Sequence, residues 1–457
     1  MNVILFGAGK NYQLNKERFR FMNIVAIIDN DRNKSGMMLD GIVIAPPEQI
    51  KHTQFDYVII VCSAYEQIRK QLIDLGVSQE KIIDKNHRGI FEKIVSYTSY
   101  EVQDGNKDED KQEIIILTHG LDYSGAPLML YNAISCLKKE NKRVRVFSLF
   151  DGPLRFELLR MGVSVIVFRD NILYLQEVKR YITNNAILFV NTMVFYPYIR
   201  EIDELNIHTI WWIHEEEGFY AERGIDTQLN MQLSNVKVYG VGERVIRAFK
   251  CHFPNQRIAE LLYGIHQNQP QKKMGCKFIY AQIGTADDCK GLDIFCEAVK
   301  KANGLQKEQC EYWIIGEISQ ERRNEYTQID GVKVFGSMEH NELMKLYQDI
   351  DVLVCPSRND SMPVVVTEAM MNKKVCIVSD HTGQSQFIVN YKNGLVFESE
   401  NVDALRQHLE WTFLNQDKLK DIGEEAYQVY EKRFRMNIFE NNLSNIMKEI
   451  DSGPKGN

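Results

Sequence analysis

Pro356-Ser-Arg-Asn-Asp360-Ser-Met-Pro363-Val-Val-Val-Thr-Glu368-Ala-Met-Met371 is the stretch on which the reading of this chain turns. An apolar run, Val352-Leu-Val-Cys355, feeds a polar loop with a carboxylate at Asp360. The spacing predicts a helix with Pro363 in its first turn and a second carboxylate, Glu368, about a turn inside it. Proline lacks an N–H, so the next amides, those of Val364 and Val365, point out of the helix start. Such a start is an anion site. Carboxylates on either side of the anion bind neutral hydroxyls. Ribose, diphosphate and sugar, in that order, fit this arrangement. Solvated acids on an ordinary strand–loop–helix would give the same local pattern, and the neighbouring segments weigh against that.

Composition bounds the rest. At 457 residues the chain is long enough for two to four domains, and 44% hydrophobic residues are enough to fill their cores. A net charge of −7 argues against non-specific nucleic-acid binding. No apolar run approaches the length of a membrane span. The start, Met1-Asn-Val-Ile-Leu-Phe-Gly7, has no basic region and runs directly into a strand, so no signal peptide is expected. The nine cysteines form no C-x-x-C pair, and Cys62, Cys136, Cys355 and Cys376 lie in apolar segments. Reduced core thiols in a cytoplasmic protein are expected, without structural zinc.

Three segments follow. Residues 101–112 are charged and aperiodic and read as a solvated linker. A second break lies at 267–273. Residues 1–100 open with a strand, Gly7-Ala8-Gly9 and a helix, then strands ending at Asp29 and Cys62, which implies a parallel, doubly wound unit. Residues 113–266 and 274–400 each show six short apolar runs alternating with helical spacing. Such runs fit parallel strands buried on both faces. Two such sheets in tandem create a cleft at their carboxyl ends.

The Asp360-x7-Glu368 stretch resembles the E-x7-E motif of retaining GT-B glycosyltransferases of family 4, with Asp in place of the first Glu. Gly284-Thr285-Ala-Asp-Asp-Cys-Lys290-Gly291 resembles that family's G-R-x(n)-K-G stretch, with Thr285 where Arg is usual. Gly316 and Gly336 end the next two strands, and Gly383 and Gly394 fill glycine positions after the helix. His119-Gly-Leu-Asp-Tyr-Ser-Gly125-Ala126 resembles the family's Gly-Ala loop, and Trp211-Trp-Ile-His214 ends a strand with the family's sugar-contacting histidine. Tyr263-Gly-Ile resembles the stretch before the second domain. The resemblance covers about 113–450.

It implies an α/β architecture of GT-B type preceded by a Rossmann-like accessory domain at 1–100. The acceptor-side domain would be 113–266 and the donor-side domain 267–430, with a helix and tail at 431–457 crossing back. It also implies metal-independent transfer of a hexosyl-type sugar, with retention, from a nucleoside diphosphate donor, most readily a UDP-sugar. No cofactor is required. The catalytic set would be His214, Lys290, Asp360 and Glu368. The donor would meet Gly125, Gly284, Thr285, Lys290, Gly316, Gly336, Ser361, Met362, Pro363, Val364, Val365 and Glu368. Glu368 would hold the ribose, Asp360 a sugar hydroxyl, and Lys290 with the 364–365 amides the diphosphate. The acceptor would be a sugar, a lipid-linked or a protein-linked hydroxyl in bacterial polysaccharide or glycoconjugate assembly. The place would be the cytoplasm, with peripheral contact at the inner face of the membrane compatible.

Other readings stay open. Thr285 and Asp360 both suit a non-catalytic GT-B partner or chaperone subunit of a glycosyltransferase complex. Gly7-Ala8-Gly9 with Asp29 suggests a dinucleotide site, but Tyr12 occupies the third glycine position. Residues 1–100 are therefore expected to serve homo- or hetero-oligomer contacts rather than redox chemistry. Asp29-Asn-Asp31 and Asp349-Ile-Asp351 match D-x-D, yet neither sits where a donor diphosphate would, so no metal site is expected.

Overall fold

Near-continuous apolar runs become parallel strands wherever both sheet faces are covered, and this chain does so three times. The computed structural model describes residues 2–12, 23–62, 64–84, 97–100, 112–168, 171–183, 185–225, 231–267, 277–302, 309–338 and 340–452. The expected linker and the 267–273 break therefore lie outside the described residues, except Gln112 and Gln267. Two compact units are present. The first is Met1–Glu101 with Phe147–Asp151 and Val165–Ile182; the second is Val102–Val146, Gly152–Ser164 and Thr183–Asn457.

In the first unit the strands are β1 (Asn2–Phe6), β2 (Asn23–Ile28), β3 (Met38–Leu39), β4 (Ile42–Ala45), β5 (Tyr57–Ile60) and β6 (Ile82–Asp84), in the order β3-β4-β2-β1-β5-β6. All neighbouring pairs are parallel except the β3–β4 hairpin. Without the two-residue β3, the order is third, second, first, fourth, fifth, the Rossmann arrangement. Side chains alternate between two cores, as a strand period of two requires. Ile4, Phe6, Ile28, Val58 and Ile60 face one core; Val3, Leu5, Ile27, Ile59 and Val61 face the other. Later in the chain, β7 (Tyr97–Tyr100) pairs antiparallel with Val165–Phe168 of β10 (Ser164–Phe168).

The second unit carries two sheets. One contains β8 (Glu113–Thr118), β9 (Arg143–Ser148), β11 (Ile187–Asn191), β12 (Thr209–Ile213), β13 (Val236–Gly240) and β14 (Ile258–Glu260), in the order β14-β13-β12-β11-β8-β9. The other contains β15 (Phe278–Ile283), β16 (Cys310–Ile315), β17 (Val332–Gly336), β18 (Val352–Cys355), β19 (Val375–Ser379) and β20 (Leu395–Phe397), in the order β17-β16-β15-β18-β19-β20. All six runs expected in the donor half are strands. Strand order reverses between β8 and β11 in one sheet and between β15 and β18 in the other. Ligand crevices of open α/β sheets form at such points.

The last helix, Met436–Ser452, packs on the first of these sheets. Phe439 stacks on Trp212 at 5.7 Å, and Lys139 pairs with Glu440 at 2.5 Å. The described cysteines are free thiols. Among the described residues no helix is long and apolar enough to cross a membrane.

Candidate active site

At the β15/β18 reversal, neighbouring loops lie backbone on backbone. Gly284 N–H donates to Ile315 O at 2.9 Å, and Gly316 N–H to Gly336 O at 2.9 Å. A Cβ at Gly316, whose φ is +145°, would lie 2.0 Å from Gly284 O. A Cβ at Gly291, φ +65°, would lie 2.1 Å from Pro356 O. Any other residue would prise these loops apart. The glycines anticipated at 284, 316 and 336 thus form one stack of strand ends.

Lys290 ends a short 3₁₀ turn after β15, capped by Asp287, whose carboxylate accepts from Lys290 N–H at 2.9 Å. Its ammonium reaches Asp360 Oδ2 at 2.5 Å. Burial works against this charge, but the Asp360 carboxylate outweighs it and raises the lysine pKa. Arg358 Nη1 and Nη2 grip Asp293 at 2.9 and 2.7 Å, and its Nε holds Glu400 at 2.8 Å. Arg322 donates to Ala286 O and Asp288. Both guanidiniums brace the loop that presents Lys290, while Thr285 is exposed.

The Val364–Met371 helix starts one residue later than the sequence suggests. Pro363 precedes it in an extended conformation, φ −60° and ψ 125°. The Pro363 carbonyl accepts from Gln384 Nε2 at 2.7 Å, and Tyr263 OH bonds Thr367 Oγ1 at 2.7 Å. The helix start is therefore clamped by a tyrosine from just before the donor half. Ser361 and Met362 lie in the loop between, Met362 buried against Gly242. Val364 and Val365 supply the leading amides, which have no partner inside a helix.

Glu368 is buried. His340 Nε2 meets its Oε1 at 2.8 Å, and Tyr347 OH donates to Oε2 at 3.1 Å. That hydrogen bond raises the His340 pKa against an opposing effect of burial. The two carboxylates of the motif are thus held by different partners, Lys290 on one side and His340 with Tyr347 on the other.

On the facing sheet, β12 ends in His214, Glu215 and Glu216. Buried indoles anchor this strand: Trp211 Nε1–H donates to Thr192 O and Trp212 Nε1–H to Leu261 O, both at 2.9 Å. Thr192, just past β11, has φ +84°, a conformation strained for a β-branched residue. Asn191 Nδ2 donates to Ala126 O at 3.4 Å, which turns Oδ1 to His214 Nε2 at 2.9 Å. Burial, aided by nearby His119, pushes the His214 pKa down to about 3, so the ring is neutral and carries its proton on Nε2. Glu215 accepts from the Met193 and His214 amides, yet burial still lifts its pKa to about 7. Gly125 opens the helix Gly125–Lys139 after β8, where a Cβ would make an ordinary contact with Met129 at 3.9 Å.

Sequence reasoning missed His340, Tyr347, Asn191, Glu216 and Arg244. Only Glu216 left a signal, as the third of four polar residues, His214 to Glu217, that follow Trp211-Trp-Ile213. The D-x-D aspartates have structural uses: Asp29 accepts the Ala8 amide at 2.7 Å and Asp351 the Ile279 amide at 2.8 Å.

Known proteins match this chain in pieces. Residues 266–429 match the model of glycosyl transferases group 1, residues 110–238 that of glycosyl-transferase family 4, and residues 1–83 that of the C2185-like N-terminal domain. An uncharacterized glycosyltransferase of Methanocaldococcus jannaschii, MJ1178, is 23% identical over 156 residues, 33% of this chain and 42% of that protein. The match therefore spans less than half of that relative. The crystal structure of Anabaena Alr3699/HepE with UDP and glucose aligns with TM-score 0.62 at 15% identity, over 73% of this chain and 99% of that one. A Rickettsia africae glycosyltransferase aligns with TM-score 0.59 at 17% identity, over 75% and 100%. The second unit has the GT-B fold, and its two halves match glycosyltransferase family models.

Proposed function

We propose that this chain transfers a hexosyl sugar from a nucleoside diphosphate donor to an acceptor hydroxyl with retained configuration. The observation that carries the reading is the pair of carboxylates flanking one helix start, each held by a side chain that a ligand can replace. The ribose displaces His340 from Glu368. The diphosphate lies against the Val364 and Val365 amides and takes the Lys290 ammonium. Asp360, released from Lys290, accepts a hydroxyl of the transferred sugar. Neutral His214 meets the sugar from the facing sheet.

In a front-face reaction the bond from the anomeric carbon to the phosphate oxygen breaks while the acceptor oxygen bonds the same face. The acceptor proton passes to the departing phosphate. No protein nucleophile is needed, and catalysis is positioning and charge stabilisation. Lys290 is the cation at the family's matching positions, since Thr285 replaces the usual arginine.

UDP is the favoured nucleotide because the Anabaena neighbour was solved with UDP, and with UDP-glucose. A sugar, lipid-linked or protein-linked hydroxyl in polysaccharide or glycoconjugate assembly is the favoured acceptor, with the first unit serving association. No metal or cofactor is assigned a role. Thr285, and the engagement of Arg322 and Arg358 within the protein, favour a second reading: a non-catalytic GT-B partner of a glycosyltransferase. Incubation of the purified chain with a panel of nucleotide sugars separates the two. Release of a nucleoside diphosphate supports transfer, and none with any donor favours the partner role.

A further inference from the structure

Glu216 lies two residues beyond His214 and only 6% of it is exposed. Arg244 Nε and Nη2 donate to it at 3.0 and 2.8 Å, both to Oε2. An arginine fork commonly spreads over both oxygens of a carboxylate. Here it doubles on one, and Oε1 is buried with no hydrogen-bond partner among the described residues. An unsatisfied buried carboxylate oxygen is destabilising. Arg244 also donates Nη1 to Asp380 O at 3.3 Å, so it is pinned from the donor half and cannot swing to cover Oε1 without losing that bond.

The surroundings point to the donor-side loop. Glu216 feels the charge of Asp360 and of His381, with burial as the main influence raising its pKa and Arg244 lowering it. A Cβ built at Gly218 would lie 2.9 Å from Asn359 Nδ2, which places the turn after Glu216 against the loop that carries Asp360. A second orphaned atom, His119 Nδ1, lies at the end of β8 near His214. The carboxylate oxygen can only accept, so among the described residues it lacks a donor that a ligand could supply.

Arg244 already balances the Glu216 charge, so the free oxygen does not call for a cation. An ionised phosphate only accepts hydrogen bonds, as Oε1 does, so it cannot satisfy it. A neutral O–H fits. We propose that Glu216, held by Arg244, binds a sugar hydroxyl through Oε1, opposite Asp360. This rests on the sugar-transfer reading above. The hydroxyl belongs either to the transferred sugar or to the acceptor.

Calorimetry and kinetics on the full chain distinguish these. The probes are UDP-, GDP-, ADP- and dTDP-sugars with their bare nucleoside diphosphates. For the donor that wild type binds, Glu216→Ala should follow one of two courses. If the transferred sugar supplies the hydroxyl, affinity for the nucleotide sugar falls at least tenfold and affinity for the bare nucleoside diphosphate holds. If the acceptor supplies it, donor binding and donor hydrolysis hold while acceptor KM rises at least tenfold. Glu216→Gln keeps the shape and one carbonyl acceptor, so a partial loss in the same readout is expected even if the alanine variant does not fold. Unchanged donor affinity, hydrolysis and acceptor KM overturn the assignment. So does an equal loss for the bare nucleoside diphosphate, which would mark a distorted site. A wild type that binds no donor overturns the sugar-transfer reading itself, and this inference with it.

Discussion

The sheet of the first unit, with β3 set aside, and the sheet of the donor half share the strand order third, second, first, fourth, fifth, but use their crevices differently. In the first unit, the amide of Ala8 in the Gly7-Ala8-Gly9 loop donates to Asp29 Oδ2 at 2.7 Å. The Asp31 amide takes Oδ1 at 2.9 Å, and Lys34 reaches Oδ2 at 3.1 Å. Burial alone would raise the Asp29 pKa, but these partners hold it below the usual carboxylate range. Tyr12, at the third glycine position, is 3% exposed and donates to Asp40 at 2.9 Å. Loop and carboxylate thus satisfy each other mainly through two backbone amides, with Lys34 adding a side-chain partner. In the donor half, Asp360 is held by Lys290 and Glu368 by His340, partly exposed side chains whose rotamers can change, while the buried Tyr347 also donates to Glu368. A Rossmann order builds a crevice; the site depends on whether its polar groups are locked into the backbone or held by exchangeable side chains.

The comparison can be broken most forcefully at Lys290. Lys290→Ala should lower turnover by roughly 10²-fold or more, because it removes the cation expected at the leaving diphosphate. Steady-state kinetics with intact folding checks this, and near-normal turnover counts against the assignment. Next is Glu368→Ala, expected to weaken donor binding about tenfold or more, about 1.4 kcal/mol. Unchanged affinity in calorimetry would remove Glu368 from the ribose site.

A smaller effect concerns His340, whose side chain is 59% exposed. Its pKa is raised in the folded chain, so the bond to Glu368 is fully present below the ordinary histidine value and fades as pH rises through the raised one. Because His340 competes with the ribose, donor affinity should fall as pH drops through that window, by about threefold for so exposed a pair. His340→Gln should flatten the dependence. A wild-type profile already flat in calorimetry would show that His340 does not gate Glu368. The smallest effect is a null one: NADH fluorescence titration of the full chain should show no binding to the first unit. Saturable binding would erase the contrast between the two crevices.

The donor half was legible in the sequence because its strands are unbroken apolar runs with a glycine, a proline or a carboxylate just beyond. Motif order set Lys290 opposite the 364–365 helix start, but its ion pair with Asp360 left no signal in the sequence. The strands that escaped were short or polar. Ile258–Glu260 has three residues with two exposed, and Tyr97–Tyr100 reads Tyr-Thr-Ser-Tyr. Neither carries an apolar period. That the first unit draws in Val165–Ile182 was also unreadable, since pairing across the chain leaves no local signal. It alters the truncation one would make: a cut at residue 110 removes Tyr97–Tyr100, the partner of Val165–Phe168. His340 and Tyr347 were missed because a helix start with one histidine reads the same whether or not a buried carboxylate lies beneath it.

The central claim is retaining transfer at the Asp360–Glu368 helix start. NMR of the product formed from the full chain, its nucleotide sugar and an acceptor tests it most directly. An anomeric configuration equal to that of the donor sugar, lost in Lys290→Ala, is the predicted result. An inverted anomer, or a full donor panel that is neither bound nor hydrolysed, would contradict it.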